Sequence, residues 1–392
     1  MKKLFLIFAA FAFACLPICA QDSQDANSVA ASEAVVAESE ELASDVSEEA
    51  EKAEGFNPGS LIIGHVTDAH SWHMFDYVDK SGNERAVAIP LPIILINDGH
   101  VDIFSSAKFH HGHADYKGYR LTGGGMEKET IICVDDQGNP VMTADNKVKT
   151  PFDLSITKTA AAIMIAVILL IVIVFAAKAG YKKRENQAPK GIQSLVELLV
   201  VFVRDSIAKP MIGEKHYERF LPYLLTLFFF IFFCNCLGLI PFFPAGANIT
   251  GNIAVTATLA LITFFITNIS GNKHYWIDIF NTPGVPAWLK IFPLMPLVEV
   301  VGMFTKPIVL LIRLFANMTA GHIVVLGFIV IIFILSNASG MVIGGVSATI
   351  AVLFSVFIDV LECLVAYIQA FVFTMLTALY IGMAVAEPAH EH

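Results

Sequence analysis

The chain has 392 residues, 56% of them hydrophobic and only 15% charged, with a formal net charge of −10 and a mean hydropathy of +0.66. A soluble domain of this size carries about a quarter charged residues, so the composition excludes a wholly soluble protein and places part of the chain in lipid. The negative charge is local: residues 22–54 hold eleven Asp/Glu against one Lys, and no basic patch or motif for nucleic acid is present.

Residues 1–20 (MKKLFLIFAAFAFACLPICA) put two lysines before a short apolar core and end on a candidate cleavage residue, Ala20. That is the pattern of a secretory signal peptide. An uncleaved first span would be too short for the hydrocarbon core. Cys19 invites a lipoprotein reading, for which Pro17 and Ile18 are poor matches. Residues 21–56 are Ala, Ser, Glu and Asp with almost no aromatics, a composition that predicts a disordered acidic tether. Residues 57–155 predict a small β-rich exported domain. LIIGHV, AVAIPLPIILI, VDIFSS, IICVD and PVMTA are its strand-like runs, and SGN, NDGH, GGG and DQGNP its turn signals. DQGNP, between IICVD and PVMTA, is the best hairpin candidate. Of the six cysteines only Cys133 lies in a polar region outside the apolar runs, so no disulfide scaffold is implied.

Residues 156–392 read as a membrane domain. Thr159 to Ala177 is uncharged, the length of one spanning helix, and Lys178, Lys182, Lys183 and Arg184 mark its far end as cytoplasmic. Residues 191–215 mix apolar and charged positions and predict an amphipathic helix on the cytoplasmic surface. Phe220 to Asn272 carries no charge and is broken by PAGANITGN, which predicts spans over 220–242 and 249–271. Residues 291–335 would run about 67 Å as a helix, twice the ~30 Å hydrocarbon thickness, so this helix must tilt or bend, with Pro296 and Pro307 as kink sites. SNASG at 336–340 is the predicted turn, and 341–386 returns as a partner. The expected fold is an all-α membrane protein of five transmembrane helices plus a surface helix. Its last two long tilted helices form a hairpin, with the N-terminus outside the membrane and the C-terminus inside.

The informative residues are the polar ones inside that hairpin: Glu299, Lys306, Arg313, Asn317 and His322 on the first helix, Asp359, Glu362 and Gln369 on the second. An Arg at a helix centre costs about 2.5–3.5 kcal/mol on insertion scales, and an intramembrane ionisable residue is a functional signal by default. A pair that merely glues helices, such as Arg313 with Glu362, is the structural alternative. At 100° per residue Asn317 shares the face of Arg313, with Ala316 and Ala320 small enough for close helix approach. His322 points to the opposite side, and Glu362 and Gln369 share a face of the returning helix. One helix can thus show Arg313 to a partner while His322 turns inward as a relay pair with Glu362.

LIRLFANMTAGH at 311–322 closely resembles the signature of the F-type ATP synthase subunit a family, an Arg followed by Leu-Phe, a small residue and Asn. LVAYIQAFVFTMLTALYIGMA at 364–384 resembles that family's C-terminal signature, and FTKP at 304–307 and Glu299 also fit. The resemblance covers about residues 155–386; residues 21–150 look like the exported extension of some bacterial members. It implies a proton-conducting stator subunit with two half-channels against a rotating c-subunit ring, held by a b-subunit peripheral stalk and other synthase subunits. The family's essential arginine falls on Arg313, its partner glutamine on Gln369, and the acid/histidine pair of the inlet half-channel on Glu362 and His322. Asn317 belongs to the inlet and Glu299 is the outlet candidate. Many bacterial members carry the acid on the first helix; here His comes first, as in mitochondrial members, and Gly238 stands where some members have Asp.

A stand-alone ion channel or transporter is the second reading, although no pair of Gly/Pro-broken half-helices at matching positions supports it. His65, His70 and His73, and His110, His111 and His113, form two clusters of a residue type that binds zinc or copper, but nothing completes a recognisable site. No Walker-type loop occurs, so the chain carries no ATP chemistry of its own, and no cofactor or metal is expected.

Overall fold

The computed structural model describes residues 67–386 except 79–83, 113, 125–126, 136, 144–146, 184–186, 241–245 and 281–293, together with residues 59 and 64. The predicted signal peptide, the acidic tether and most of LIIGHV lie outside the described residues.

Among the described residues the β region has seven strands in three antiparallel sheets. β1 (Ser71–Val78) pairs with β2 (Glu84–Pro90). β3 (Pro92–Asn97) lies between β4 (His100–Ser105) and β7 (Phe152–Asp153). β5 (Tyr119–Gly124) pairs with β6 (Glu127–Cys133). The NDGH signal makes the β3–β4 hairpin: Asp98 and Gly99 both take positive φ, 50° and 82°, as a two-residue turn between right-twisted strands requires. DQGNP does turn the chain, with Asp135 accepting from the Asn139 and Gln137 amides, but it joins only an isolated Val134–Pro140 bridge and not two strands. β1–β2 and β5–β6 are the other antiparallel pairs of consecutive strands, and β5 ends in glycines that read as pure turn.

Alternation along β3 sends Ile93 and Leu95 into a core with Phe109, Tyr119, Ile131 and Cys133. Trp72 and Leu91 belong elsewhere: they are buried in the helical region's own apolar cluster, beside Ala160–Ile163.

In the helical region α1 (Lys158–Lys183) is the first span. Its first six residues are buried on every side, and lower down Ile168, Leu169, Val172 and Phe175 face outward. α2 (Ile192–Phe202) runs through a π-helical turn (Val203–Ala208) into the short α3 (Lys209–Ile212). It packs Leu199 and Val203 inward and leaves Ile192, Leu195 and Leu198 exposed, two apolar faces suited to a helix between a bundle and lipid. α4 (Tyr217–Leu239) carries a run of phenylalanines against Phe202 and Tyr367.

The next predicted span differs from expectation. α5 (Ile253–Ile269) has 17 residues and is followed by α6 (Lys273–Phe280), turned by 102°. Asn272 fixes that bend, its amide and side chain donating to the Ala384 and Val385 carbonyls at 2.9 Å each. Among the described residues four helices are long and apolar enough to cross a membrane, or five if the bent pair counts as one span.

The last element, α7 (Leu294–Val385), keeps helical hydrogen bonding throughout and doubles back between Ile331 and Ala348, so the SNASG turn is made without an open loop. Cross-limb contacts define the hairpin: Phe328 stacks on Phe354 at 5.7 Å, His322 meets Glu362, and the Lys306 ammonium lies 5.5 Å from the Tyr380 ring.

Candidate functional site

Arg313, Asn317, Ala320 and Val324 are exposed and fall along one side of the first limb of α7. Among the described residues Arg313 forms no ion pair. The gluing pair Arg313–Glu362 is therefore not what the hairpin builds. The guanidinium is thus exposed on an apolar helix beside the small side chain of Ala320.

The opposite side of the same limb closes over His322. Its Nδ1 lies 3.1 Å from the Met318 carbonyl oxygen and 3.7 Å from Glu362 Oε1, close but beyond hydrogen-bonding distance. Glu362 Oε1 is buried without a hydrogen-bond partner. Gly321 explains how the carboxyl reaches this position: a Cβ there would collide with the Glu362 carboxyl itself. Gly238 on α4 faces the same imidazole, and a Cβ there would sit 3.7 Å from His322 Cε1. The glycine in place of an acid thus leaves space against the histidine.

Two residues that carry no charge signal in the sequence extend this polar line. Asn235, fully buried on α4, donates to the Ala366 carbonyl at 3.4 Å and accepts from the Thr250 hydroxyl at 2.6 Å. Ala366 is one turn beyond Glu362. Neutral polar residues inside FFCNCLGL and ANITGN have no insertion cost large enough to betray them, and only their depth in the fold marks them out.

Gln369 is buried on the second limb, two turns from Glu362 and on its face, and no hydrogen bond joins it to Arg313 among the described residues. Asp359 is exposed. On the other flank a cavity opens between α5, α6 and the α7 limbs, lined by Thr263, Thr267, Asn268, Tyr275, Lys306 and Tyr380. Glu299, Lys306 and Arg313 stand seven residues apart, so they share one helical face at steps of about 10 Å. Glu299 lies within electrostatic reach of Tyr275. The hairpin therefore carries polar side chains on two sides of Arg313, His322 with Glu362 on one and the lining of the cavity on the other.

The histidines of the β region do not assemble into a metal site among the described residues. His65, His113 and the side chains of His73 and His111 lie outside them, and His70 is engaged by two carboxylates instead.

The family described as ATP synthase A chain matches residues 161–382, and a domain of unknown function (DUF8433) matches residues 61–154. ATP synthase subunit a 2 of Chlorobaculum tepidum is 49% identical over 241 residues, 60% of this chain and 64% of that protein. ATP synthase subunit a 2 of Prosthecochloris aestuarii is 40% identical over 320 residues, 78% of this chain and 94% of that protein, a match too long to fit in the helical region alone. ATP synthase subunit a of Myxococcus xanthus is 43% identical over 244 residues, 61% of this chain and 76% of that protein. Because the family match covers more than half of the 392 residues, the chain belongs to the ATP synthase A chain family.

Proposed function

We propose that this chain is the proton-translocating stator subunit of an F-type ATP synthase membrane sector, non-catalytic in itself, working against a rotating c-subunit ring. The observation that carries this reading is the division of one helix. Arg313 is exposed on one side, and nine residues on, about 14 Å along the axis, His322 meets Glu362 on the other.

A proton enters past Asn317, His322 and Glu362 and neutralises a carboxylate on the ring. The neutral carboxyl can then face lipid, where the ion could not. After nearly a full turn the carboxyl meets the second route, where Lys306, Tyr275 and Glu299 line the way out. Arg313 stands between the two. Its charge favours the ionised form of the passing carboxyl and so promotes release, and it repels protons that would otherwise leak straight across. Arginine suits the position because it stays charged where lysine could lose its proton. Gln369 shares the buried face behind the ring-facing helix. Each charge crossing 100 mV supplies about 2.3 kcal/mol, so several protons must pass per ATP. The b-subunit stalk holds the chain against the torque. The β region lies on the periplasmic side and the C-terminus in the cytoplasm, as the basic cluster after α1 supports.

The stand-alone channel reading separates cleanly by experiment. The purified chain in liposomes, under a potential, conducts no protons by the present account, and conduction appears only with the ring and stalk subunits. Steady proton current from the chain alone would overturn it.

A further inference from the structure

We infer that the segment Thr67–Trp72 is a pH-sensitive clasp that fastens the β region onto the first turn of α1, held shut by a charged His70 clamped between Glu129 and Asp153. This goes beyond the proton-conducting role and does not rest on it.

One side of the clasp grips the helix. The Lys158 amide donates to the Ala69 carbonyl at 2.8 Å, the Thr159 amide to Asp68 Oδ1 at 2.9 Å, and Lys158 Nζ to the Thr67 carbonyl at 3.0 Å. A helix start leaves its first amides unsatisfied, and a carboxylate there also suits the helix dipole. Trp72, 4% exposed, and Leu91 join the same apolar cluster as Ala160–Ile163.

The other side grips the sheets. His70 is buried, and its amide donates to Glu129 Oε2 at 2.8 Å. Its ring Nε2 lies 2.8 Å from Asp153 Oδ2 and its Nδ1 3.4 Å from Glu129 Oε2. Both ring nitrogens face carboxylate oxygens. A neutral imidazole has one donor only, so one carboxylate would meet a lone pair; the imidazolium satisfies both. Glu129 comes from β6 and Asp153 from β7, so the one ring ties the segment before β1 to two separate sheets. Among the described residues the remaining charged neighbours are Lys158 on α1, which faces Glu129 and Asp68, and Asp68 itself.

The charges agree with the geometry. Burial opposes the positive ring, but the bonds and negative charges of Asp153 and Glu129 outweigh it and push the His70 pKa up to about 9. Burial likewise raises Glu129 and Asp153, and the bonds from His70 outweigh it and hold both below their ordinary values. The His70 contribution is thus complete below its ordinary pKa of 6.5 and is lost as pH rises through about 9. The carboxylate contributions are present above their ordinary values and fade on acidification below them. The clasp is closed around neutrality and opens on the alkaline side as His70 loses its proton.

Trp72 reports on it directly. In the full chain in lipid nanodiscs, with Trp276→Phe and Trp288→Phe leaving Trp72 as the sole tryptophan, its emission stays blue from pH 6 to 8. It then shifts red with a midpoint near 9. Asp153→Asn lowers that midpoint by about one pH unit or more, because it removes a charge that holds the ring protonated. His70→Gln leaves Trp72 red-shifted at pH 7 with no step near 9. The absence of a step in the parent chain between pH 7 and 10, or an Asp153→Asn midpoint equal to the parent's, overturns the inference. The Asp153→Asn midpoint decides even where His70→Gln fails to fold.

Discussion

His70 and His322 are both largely buried beside a glutamate, and the two surroundings differ in closure. Around His70 both ring nitrogens and its backbone amide meet carboxylate oxygens, two of them at 2.8 Å. Around His322 the glutamate stands off at 3.7 Å, and its near oxygen has no hydrogen-bond partner. A buried polar group left unsatisfied costs about 1–3 kcal/mol, and a fold gains nothing by keeping one. The closed cluster is what a protein builds to hold two regions together. The open one suits the proposed proton relay, since a saturated carboxylate has no vacant lone pair to accept a proton. Charge in an apolar setting is common to both, and the count of satisfied atoms separates them.

That contrast is easiest to break at Glu362. Glu362→Gln keeps the shape and removes the proton acceptor, so ATP-driven proton pumping in vesicles should fall by about a hundredfold or more while the complex still assembles. Glu129→Gln in the β region should leave pumping within a few-fold of the parent at neutral pH. Equal losses in both would erase the distinction. Gly321→Ala tests geometry alone. The added methyl displaces the Glu362 carboxyl, and pumping should drop by roughly tenfold to a hundredfold, a misplacement effect with no charge altered. Asn235→Ala is a smaller perturbation. It strips the partner from the buried Thr250 hydroxyl, so the unfolding midpoint of the detergent-solubilised chain should fall by an amount worth about 1–3 kcal/mol, with pumping slowed only a few-fold. Unchanged stability would remove Asn235 from the polar line beside Glu362.

Charged residues in apolar runs are the most legible feature of the sequence. Arg313, His322, Glu362 and Glu299 stand out in the bare string of residues because insertion cost makes them conspicuous, and helical phase alone separates Arg313 from His322. Asn235 and Thr250 do not, because neutral polar side chains are ordinary in such runs until their burial is known. The bend after α5 is hidden because an uncharged stretch from Phe220 to Asn272 says nothing of direction; the turn is set by Asn272 reaching the far end of α7, over a hundred residues away. In the β region NDGH announces its hairpin, since few residues tolerate positive φ. β1 is not legible as a strand because SWHMFDYV mixes charge and aromatics, carries a register irregularity between His73 and Phe75, and is completed only by pairing with β2.

In the proposed mechanism Arg313 separates two proton routes. ATP-driven pumping by inverted membrane vesicles holding the assembled complex, parent against Arg313→Ala, tests it most directly. The account predicts that pumping disappears while the complex still assembles and hydrolyses ATP. Pumping that survives the substitution would make Arg313 a structural charge and contradict the two-route mechanism.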